Sequence, residues 1–167
     1  MENKVRRGWV YEAVVVSGKG HAAPMGVRVT GADAIELDVY KTAETCRNIR
    51  DDGSFTVYFT DALTLGRVLE KKKLKGKQHY ASLTVDVVST ENLGRKIRFR
   101  GKIISKSNTD KMTLINRAEA AFLEALIEST KPRPKKGKLD ETLRVISKVA
   151  PDSVYEKRLE ALARKKK

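Results

Sequence analysis

The spacing of apolar residues changes near residue 110, and this change limits what the chain can fold into. Before it, apolar and polar side chains alternate in segments such as Ile35–Val39 and Phe55–Phe59, which is the period of a half-buried β-strand. After it, Met112–Ser129 carries apolar residues three and four positions apart, the spacing of one helix face. The sequence therefore predicts a mainly β domain over residues 1–110 and a small C-terminal helical segment over residues 111–167.

The β-rich part contains few helices between its strands. The strands are predicted at Trp9–Ser17, Met25–Thr30, Ile35–Val39, Phe55–Phe59, His79–Thr90 and Arg95–Ser107, and the helices at Thr42–Asp51 and Ala62–Lys72. Glu91–Gly94 joins the last two strands and has the Asn and Gly that suit a hairpin loop. Because helices do not alternate regularly with strands, the pattern favours an antiparallel β-barrel over a doubly wound sheet.

The C-terminal segment is interrupted by two prolines. Residues 131–137 read as a linker, because Pro132 and Pro134 cannot continue a helix. Two further amphipathic helices follow, one around Leu139–Val149 and one around Val154–Leu162. The sequence thus predicts three helices after the barrel.

The composition excludes several classes of protein. Hydrophobic residues make up 40% of the chain and charged residues 34%, which is too apolar for a disordered chain. No apolar run approaches the length of about 18 residues that a transmembrane helix needs. Cys46 is the only cysteine, and His21 and His79 are the only histidines, so neither a disulfide nor a structural metal site is expected. We expect a cytoplasmic protein that does not associate with membranes.

The chain is strongly basic, with 35 Lys and Arg against 21 Asp and Glu and a formal net charge of +14. Lysines cluster between Lys71 and Lys77, and basic residues recur from Arg95 to Lys102 and in the C-terminal segment. Such a balance attracts polyanions, among them nucleic acid and phosphorylated small molecules. Ion-pair networks of the kind common in heat-adapted proteins would explain the same composition.

One motif suggests a dinucleotide site but lacks its structural context. Gly18–Ala23 matches the fingerprint G-x-G-x-x-A, and Asp38 lies about where a ribose-binding acid would. Pro24 and the residues after it show no helical period, so no helix N-terminus would receive a pyrophosphate. A Rossmann site is therefore not expected. Cys46 lies within a predicted helix and is interpreted as a small buried side chain rather than a nucleophile.

Two segments have compositions that suit a ligand. His21–Gly26 contains two alanines, a proline and a glycine, so a flat aromatic ring could lie against its backbone. Tyr40–Ile49 runs from a strand end into a helix start, where amides, hydroxyls and two cationic side chains suit a phosphate. The alternatives are an ordinary turn for the first segment and, for the second, a solvated helix capped by Thr42 or Thr45.

The order and spacing of these segments resemble a known superfamily. His21–Val27, Lys41–Ile49 and Gly53–Asp61 together look like the FMN-binding, flavin-reductase-like split-barrel proteins, and more closely like an uncharacterised, largely archaeal family among them. Ile115–Glu119 is similar to the start of that family's helical C-terminal part. The resemblance covers about residues 8–160 and implies an antiparallel split β-barrel.

The resemblance also implies a homodimer with FMN at the subunit interface. It assigns to the isoalloxazine ring the backbone of His21, Ala22, Ala23, Pro24, Met25 and Gly26. It assigns to the phosphate and ribityl chain Lys41, Thr42, Thr45 and Asn48, with Arg47 and Arg117 as helpers, and it places Thr60 and Asp61 near the ring or the dimer contact. The chain departs from the commoner pattern in having His21 and Tyr58 where asparagine is expected.

These features lead to the hypothesis of a flavin-dependent oxidoreductase that takes electrons from a nicotinamide nucleotide, NADH or NADPH. The cofactor would carry the electrons, so no side chain is predicted to be catalytic. Three alternatives stay open at this point: a basic nucleic-acid-binding protein, a non-catalytic flavin or haem binder, and a protein that holds a deazaflavin instead of FMN.

Overall fold

The computed structural model describes residues 5–130 and 137–165, so residues 131–136 of the predicted linker lie outside the described residues. The chain forms two compact units. The first ends at Ile115 and the second begins at Asn116, with Gly8–Val10 joining the second unit. The sequence pattern placed this division at residue 110.

The first unit contains six strands and two helices. The strands are β1 Val10–Ser17, β2 His21–Val29, β3 Ala34–Tyr40, β4 Ser54–Phe59, β5 Ala81–Leu93 and β6 Lys96–Ser107. The helices are α1 Glu44–Asp52 and α2 Ala62–Lys71, and short 3-10 turns lie at Lys77–His79 and Thr109–Lys111. The second unit contains α3 Arg117–Thr130, α4 Lys138–Val149 and α5 Val154–Lys165.

The six strands close into an antiparallel barrel in the order β1-β2-β3-β6-β5-β4, which confirms the predicted fold class. The two-residue period places alternate side chains inside the barrel. Leu37, Val57, Leu83 and Phe99, one from each of four strands, are at most 1% exposed. Burial of each side chain of this size contributes about 1.5–3 kcal/mol to the free energy of unfolding, so the alternating pattern favours a closed barrel.

Strand β1 is buried on both faces. Val15 points to one face and Val14 to the other, and neither side chain is exposed. Val14 belongs to a cluster outside the barrel that includes Ala22 of β2, Val68 of α2 and Leu74. Helix α2 and the segment after it therefore cover β1 and the start of β2, which explains the unbroken apolar run at the end of β1.

Several element boundaries differ from those predicted, and three of the differences affect the regions around the hairpin, α3 and β2. β5 extends further into the hairpin than predicted and ends at Leu93 rather than at Thr90, because Leu93 pairs with Lys96 and Gly94 takes a left-handed φ of 71°. Helix α3 begins at Arg117 rather than at Met112, because the Glu12 amide donates to the Ile115 carbonyl at 2.8 Å and holds that residue extended. β2 begins at His21 rather than at Met25, so the segment His21–Gly26 is part of a strand and not the ordinary turn that was its alternative interpretation.

Paired charges occupy the outer face of β3 and β6. The Arg98 guanidinium donates to Asp38 through two hydrogen bonds of 2.7 and 2.9 Å. Arg100 donates to Glu36 at 3.0 Å and also bonds the carboxylate of Glu91. The hydrogen bonds between Asp38 and Arg98 lower the pKa of the carboxyl group and raise that of the guanidinium, so this pair stays charged near neutral pH. Part of the basic composition is therefore neutralised across neighbouring strands.

Asn116 fixes the start of the second unit. Its Nδ2 donates to the carbonyls of Val10 at 2.8 Å and Val149 at 2.9 Å, and its Oδ1 accepts from the Ala118 amide at 2.7 Å. It thus caps α3 while tying that helix to α4. The core of the unit comprises, among others, Phe122, Ile146 and Leu159. None of the helices in the described ranges is long and apolar enough to cross a membrane.

The close approach of β5 and β6 predicts opposite effects for two glycine substitutions. A Cβ on Gly101 would lie 2.2 Å from Val85 Cγ1 and 3.2 Å from the Asp86 carbonyl oxygen. We expect Gly101→Ala to lower the free energy of unfolding by about 1–3 kcal/mol. Gly66 in α2 has open space around it, so Gly66→Ala should raise that free energy by up to about 1 kcal/mol. Urea denaturation followed by circular dichroism measures both, and equal effects of the two substitutions would contradict this packing.

Candidate functional site

The first candidate segment, His21–Gly26, is a partly unpaired strand edge. Within the described residues, β2 pairs with β3 only at Val27, Arg28 and Val29. The Ala22 amide instead donates to the Lys72 carbonyl at 2.9 Å. Pro24 has no amide hydrogen to donate, and proline in a strand is tolerated at such edges. Ala22 is fully buried and the other residues of the segment are half-buried, so the edge has little side-chain bulk.

The second candidate segment is the start of α1. Ala43 occupies the N-cap position, where the structure shows no side-chain cap, so the prediction of a Thr42 or Thr45 cap is wrong. The reason is the helix start at Glu44, which leaves Thr42 before the cap and Thr45 in the first turn. Lys41 and Thr42 are exposed, and Thr45 is buried. First-turn amides not bonded by a capping side chain, together with the helix dipole, favour an anion here.

A side-chain contact joins the two segments. Nδ1 of His21 lies 3.3 Å from Oε2 of Glu44. The His21 side chain is 15% exposed, whereas that of Glu44 is 59% exposed. The β2 edge and the start of α1 are therefore neighbours, which the sequence order alone did not establish. The contact also directs the Glu44 carboxylate towards His21.

Asn48 packs against the turn between β1 and β2. Its Nδ2 donates to Ser17 Oγ at 3.4 Å. Gly18 has a φ of 57°, and a Cβ there would lie 2.8 Å from Asn48 Cγ. Gly20, the second glycine of the G-x-G motif, has a φ of 95°. Both glycines therefore allow a tight turn with left-handed backbone beside α1. Sequence reasoning missed the contact between Gly18 and Asn48, although the paired glycines were its signal.

An open cavity of about 580 Å³ lies beside these residues. It extends from the β1–β2 turn and one face of α1 to Lys72 and Lys73. Of the candidate residues, His21 and Asn48 line it. Its charged lining residues are Glu44, Asp51 and Asp52 on α1 and Lys19, Lys72 and Lys73 on the other two segments. The cavity therefore combines an acidic wall with basic ones.

Thr60 and Asp61 are engaged at the start of α2. Oδ1 of Asp61 accepts from the Thr64 amide, and Oδ2 accepts from the Thr64 hydroxyl, both at 2.9 Å. These bonds, the amide bond foremost, lower the pKa of Asp61. Thr60 is 1% exposed. Helix capping thus accounts for Asp61 without a ligand, and its placement near a ring stays a prediction.

The remaining residues named in the sequence analysis, Arg47, Arg117 and Tyr58, belong to different elements of the structure. Arg47 is exposed on α1. Arg117 begins α3 and belongs to the second unit, so its part in the site stays a prediction. Tyr58 packs against the cluster of β1 and α2, and burial raises the pKa of its hydroxyl.

Cys46 is buried, and desolvation raises the pKa of its thiol, which confirms its interpretation as a packed side chain.

Among the described residues, no three His, Cys, Asp or Glu side chains come together in a way that could hold a metal ion. A second cavity of about 410 Å³ is lined by Val29, Asp33 and Lys106, among others, and contains none of the predicted residues.

The barrel also resembles structures of known proteins. The chain is similar to an FMN-bound DUF447 protein from Methanosarcina mazei, with 14% identity, 96% of each chain covered and a TM-score of 0.53. It is similar as well to the NADH:FAD oxidoreductase SgcE6 of Streptomyces globisporus, with 14% identity, a TM-score of 0.50, and coverage of 63% of this chain and 74% of that one. At these identities the likeness shows the fold, which is the predicted flavin-reductase-like split barrel.

The family comparison agrees with the fold. The model described as the N-terminal domain of DUF447, a protein of unknown function, matches residues 11–109. This range covers all but the first residue of the barrel strands and both helices of the first unit. The chain therefore belongs to the DUF447 family and carries the N-terminal domain of that family in its barrel.

Proposed function

We propose that the barrel binds FMN and that the protein is a flavin-dependent oxidoreductase which takes electrons from a nicotinamide nucleotide. The observation that carries this proposal is the 3.3 Å contact between His21 and Glu44. This contact places the small-residue edge of β2 next to the start of α1. The edge suits the isoalloxazine ring of FMN, and the helix start suits its phosphate. Membership of DUF447 and the fold shared with its FMN-bound Methanosarcina mazei member support the proposal.

The strand edge fits the isoalloxazine ring. A planar ring needs a flat surface and backbone groups that bond its polar edge. Because backbone groups alternate along a strand, Pro24 and Gly26 face the same side as Ala22, whose amide reaches Lys72 outside the sheet. Pro24 has no amide hydrogen on that side, and Gly26 has no side chain on the adjoining face, so a ring could approach the open edge closely. Backbone groups would thus hold most of the ring. The presence of His21 where asparagine is expected would leave these backbone contacts unchanged.

The helix start fits the phosphate. Lys41 and Thr42 supply a cation and a hydroxyl, both exposed, next to the first-turn amides of α1. Arg47 lies one turn further along the same helix. The Glu44 carboxylate would repel a phosphate, but its contact with His21 holds it on the side of the strand edge. Thr45 and Asn48, which are more buried, would shape the site for the ribityl chain.

When bound, FMN would supply the electron-transfer chemistry, and the residues of this chain would bind it, orient it and exclude water. We further propose a homodimer in which FMN lies at the subunit interface, with Thr60, Asp61 and Arg117 near it. The predicted domain of residues 1–110 would be the FMN-binding domain, and the predicted segment of residues 111–167 a separate helical one. A cytoplasmic location is consistent with the free thiol of Cys46.

Removal of the phosphate ligands tests the FMN site. We expect the double substitution Lys41→Ala, Thr42→Ala to weaken FMN binding by about tenfold or more, because it removes a charge and a hydroxyl at the helix start. Arg50→Ala removes a charge from the last turn of the same helix and serves as the matched control, with an expected change below about twofold. Quenching of FMN fluorescence measures the affinities, and thermal unfolding checks the fold. Equal affinities of the double variant and the wild type would contradict the site.

Anaerobic reduction tests the proposed oxidoreductase activity. We expect NADH or NADPH to bleach the visible absorption of the FMN-loaded protein, and added free FMN to accept the electrons in turnover. A protein that retains FMN but is reduced by neither nucleotide would be a non-catalytic flavin binder. A protein that retains haem and excludes FMN would contradict the proposal altogether.

A further inference from the structure

The segment Lys71–Lys77, named here the lysine segment, concentrates unpaired positive charge. Five of its seven residues are exposed lysines, and none is acidic. Within the described ranges, none of these lysines forms an ion pair, in contrast to Arg98 and Arg100 on the outer face of the barrel. Unpaired cations held close together repel one another, so this arrangement favours an anionic ligand.

The backbone of the lysine segment is fixed at several points. Leu74 is 7% exposed and packs in the cluster that covers β1. The Lys72 amide donates to the Val68 carbonyl at 2.8 Å, and the Lys72 carbonyl accepts from Ala22 at 2.9 Å. Asn108 donates to the Gln78 carbonyl at 3.1 Å just beyond the segment. The lysines are thus displayed on a fixed backbone, which lowers the entropic cost of binding an anion.

The segment is continuous with the proposed flavin site. The bond between Ala22 and Lys72 joins it directly to the small-residue edge of β2. Lys72 and Lys73 line the same 580 Å³ cavity as His21 and Asn48. A ligand in this cavity would therefore touch both the proposed flavin site and the lysines.

The mixed charges of the cavity suit a nucleotide with an extra phosphate. Lys19, Lys72 and Lys73 would attract phosphate groups, because lysine binds phosphate as a point charge. Glu44, Asp51 and Asp52 on the α1 side would repel phosphate, but carboxylates accept hydrogen bonds from ribose hydroxyls. A phosphate monoester adds a charge of about −1.5 to −2 at pH 7, which is the difference between NADPH and NADH.

We propose that the lysine segment, through Lys72 and Lys73, binds the 2′-phosphate of NADPH and makes this nucleotide the preferred electron donor. This inference rests on the proposed function for the identity of the reaction, and on the lysine segment alone for the choice of nucleotide. The adenosine half of the donor lies along the cavity, and its nicotinamide half is directed towards the β2 edge.

The first test needs neither flavin nor turnover. Calorimetric titration of the full chain compares 2′,5′-ADP, which carries the 2′-phosphate, with 5′-AMP. We expect 2′,5′-ADP to bind at least about tenfold more tightly, and Lys72→Gln, Lys73→Gln to reduce this preference to about twofold or less. The control Lys157→Gln, Arg158→Gln removes the same charge from exposed positions of α5 and should retain the preference. Equal binding of the two nucleotides by the wild type, or a preference that survives in the lysine variant, would overturn the inference.

The second test compares donors in the FMN-loaded protein. We expect kcat/KM for NADPH to exceed that for NADH by at least about tenfold, and the same lysine variant to lose this ratio while its FMN affinity is unchanged. If FMN does not bind but 2′,5′-ADP is still preferred, the proposed function fails and the nucleotide site stands. If FMN binds and the donors are used equally, the inference fails and the proposed function stands. Tight, salt-sensitive binding of single-stranded DNA through the same lysines, without a preference for 2′,5′-ADP, would also overturn it.

Discussion

The open edge at the start of β2 organises the elements around the candidate site. Pro24 cannot donate to a ladder, and the first six residues of β2 run past β3 without pairing to it in the described structure. Edge groups left this way must bond elsewhere, and Ala22 does so through the Lys72 carbonyl. The end of α2 is thereby held against the barrel, and the start of α1 meets the same edge through Glu44.

The charges of the chain divide into two groups with different consequences. The carboxylates of Asp38 and Glu36 pair with Arg98 and Arg100 across β3 and β6, so these two guanidinium groups have carboxylate partners within the chain. The lysine segment has no such partners among the described residues. A net charge of +14 is therefore a poor guide to function by itself, and the location of the unpaired part decides what it can bind.

The sequence was sufficient for the fold but only partly so for the site. Alternation in segments such as Ile35–Val39 reports which face is buried, so the strands and the barrel were predictable. The N-cap at Ala43 was not predictable, because Thr42 and Thr45 are both better capping residues by type. The helix starts at Glu44, so neither threonine occupies the N-cap position. The contact between His21 and Glu44 depends on tertiary packing, which local patterns do not encode. Residue type indicated the candidate segments, and only the fold made them neighbours.

An NMR titration would show where FMN binds, and so whether the strand edge of β2 and the start of α1 form one site. Amide chemical shifts of the ¹⁵N-labelled protein, recorded during titration with FMN, report which backbone groups meet the ligand. We expect the largest changes at the strand edge, residues 21–26 apart from Pro24, and at the start of α1, residues 41–48. The proposed site would be contradicted by saturable changes centred on the second cavity, around Val29, Asp33 and Lys106. The absence of any saturable change would contradict it as well.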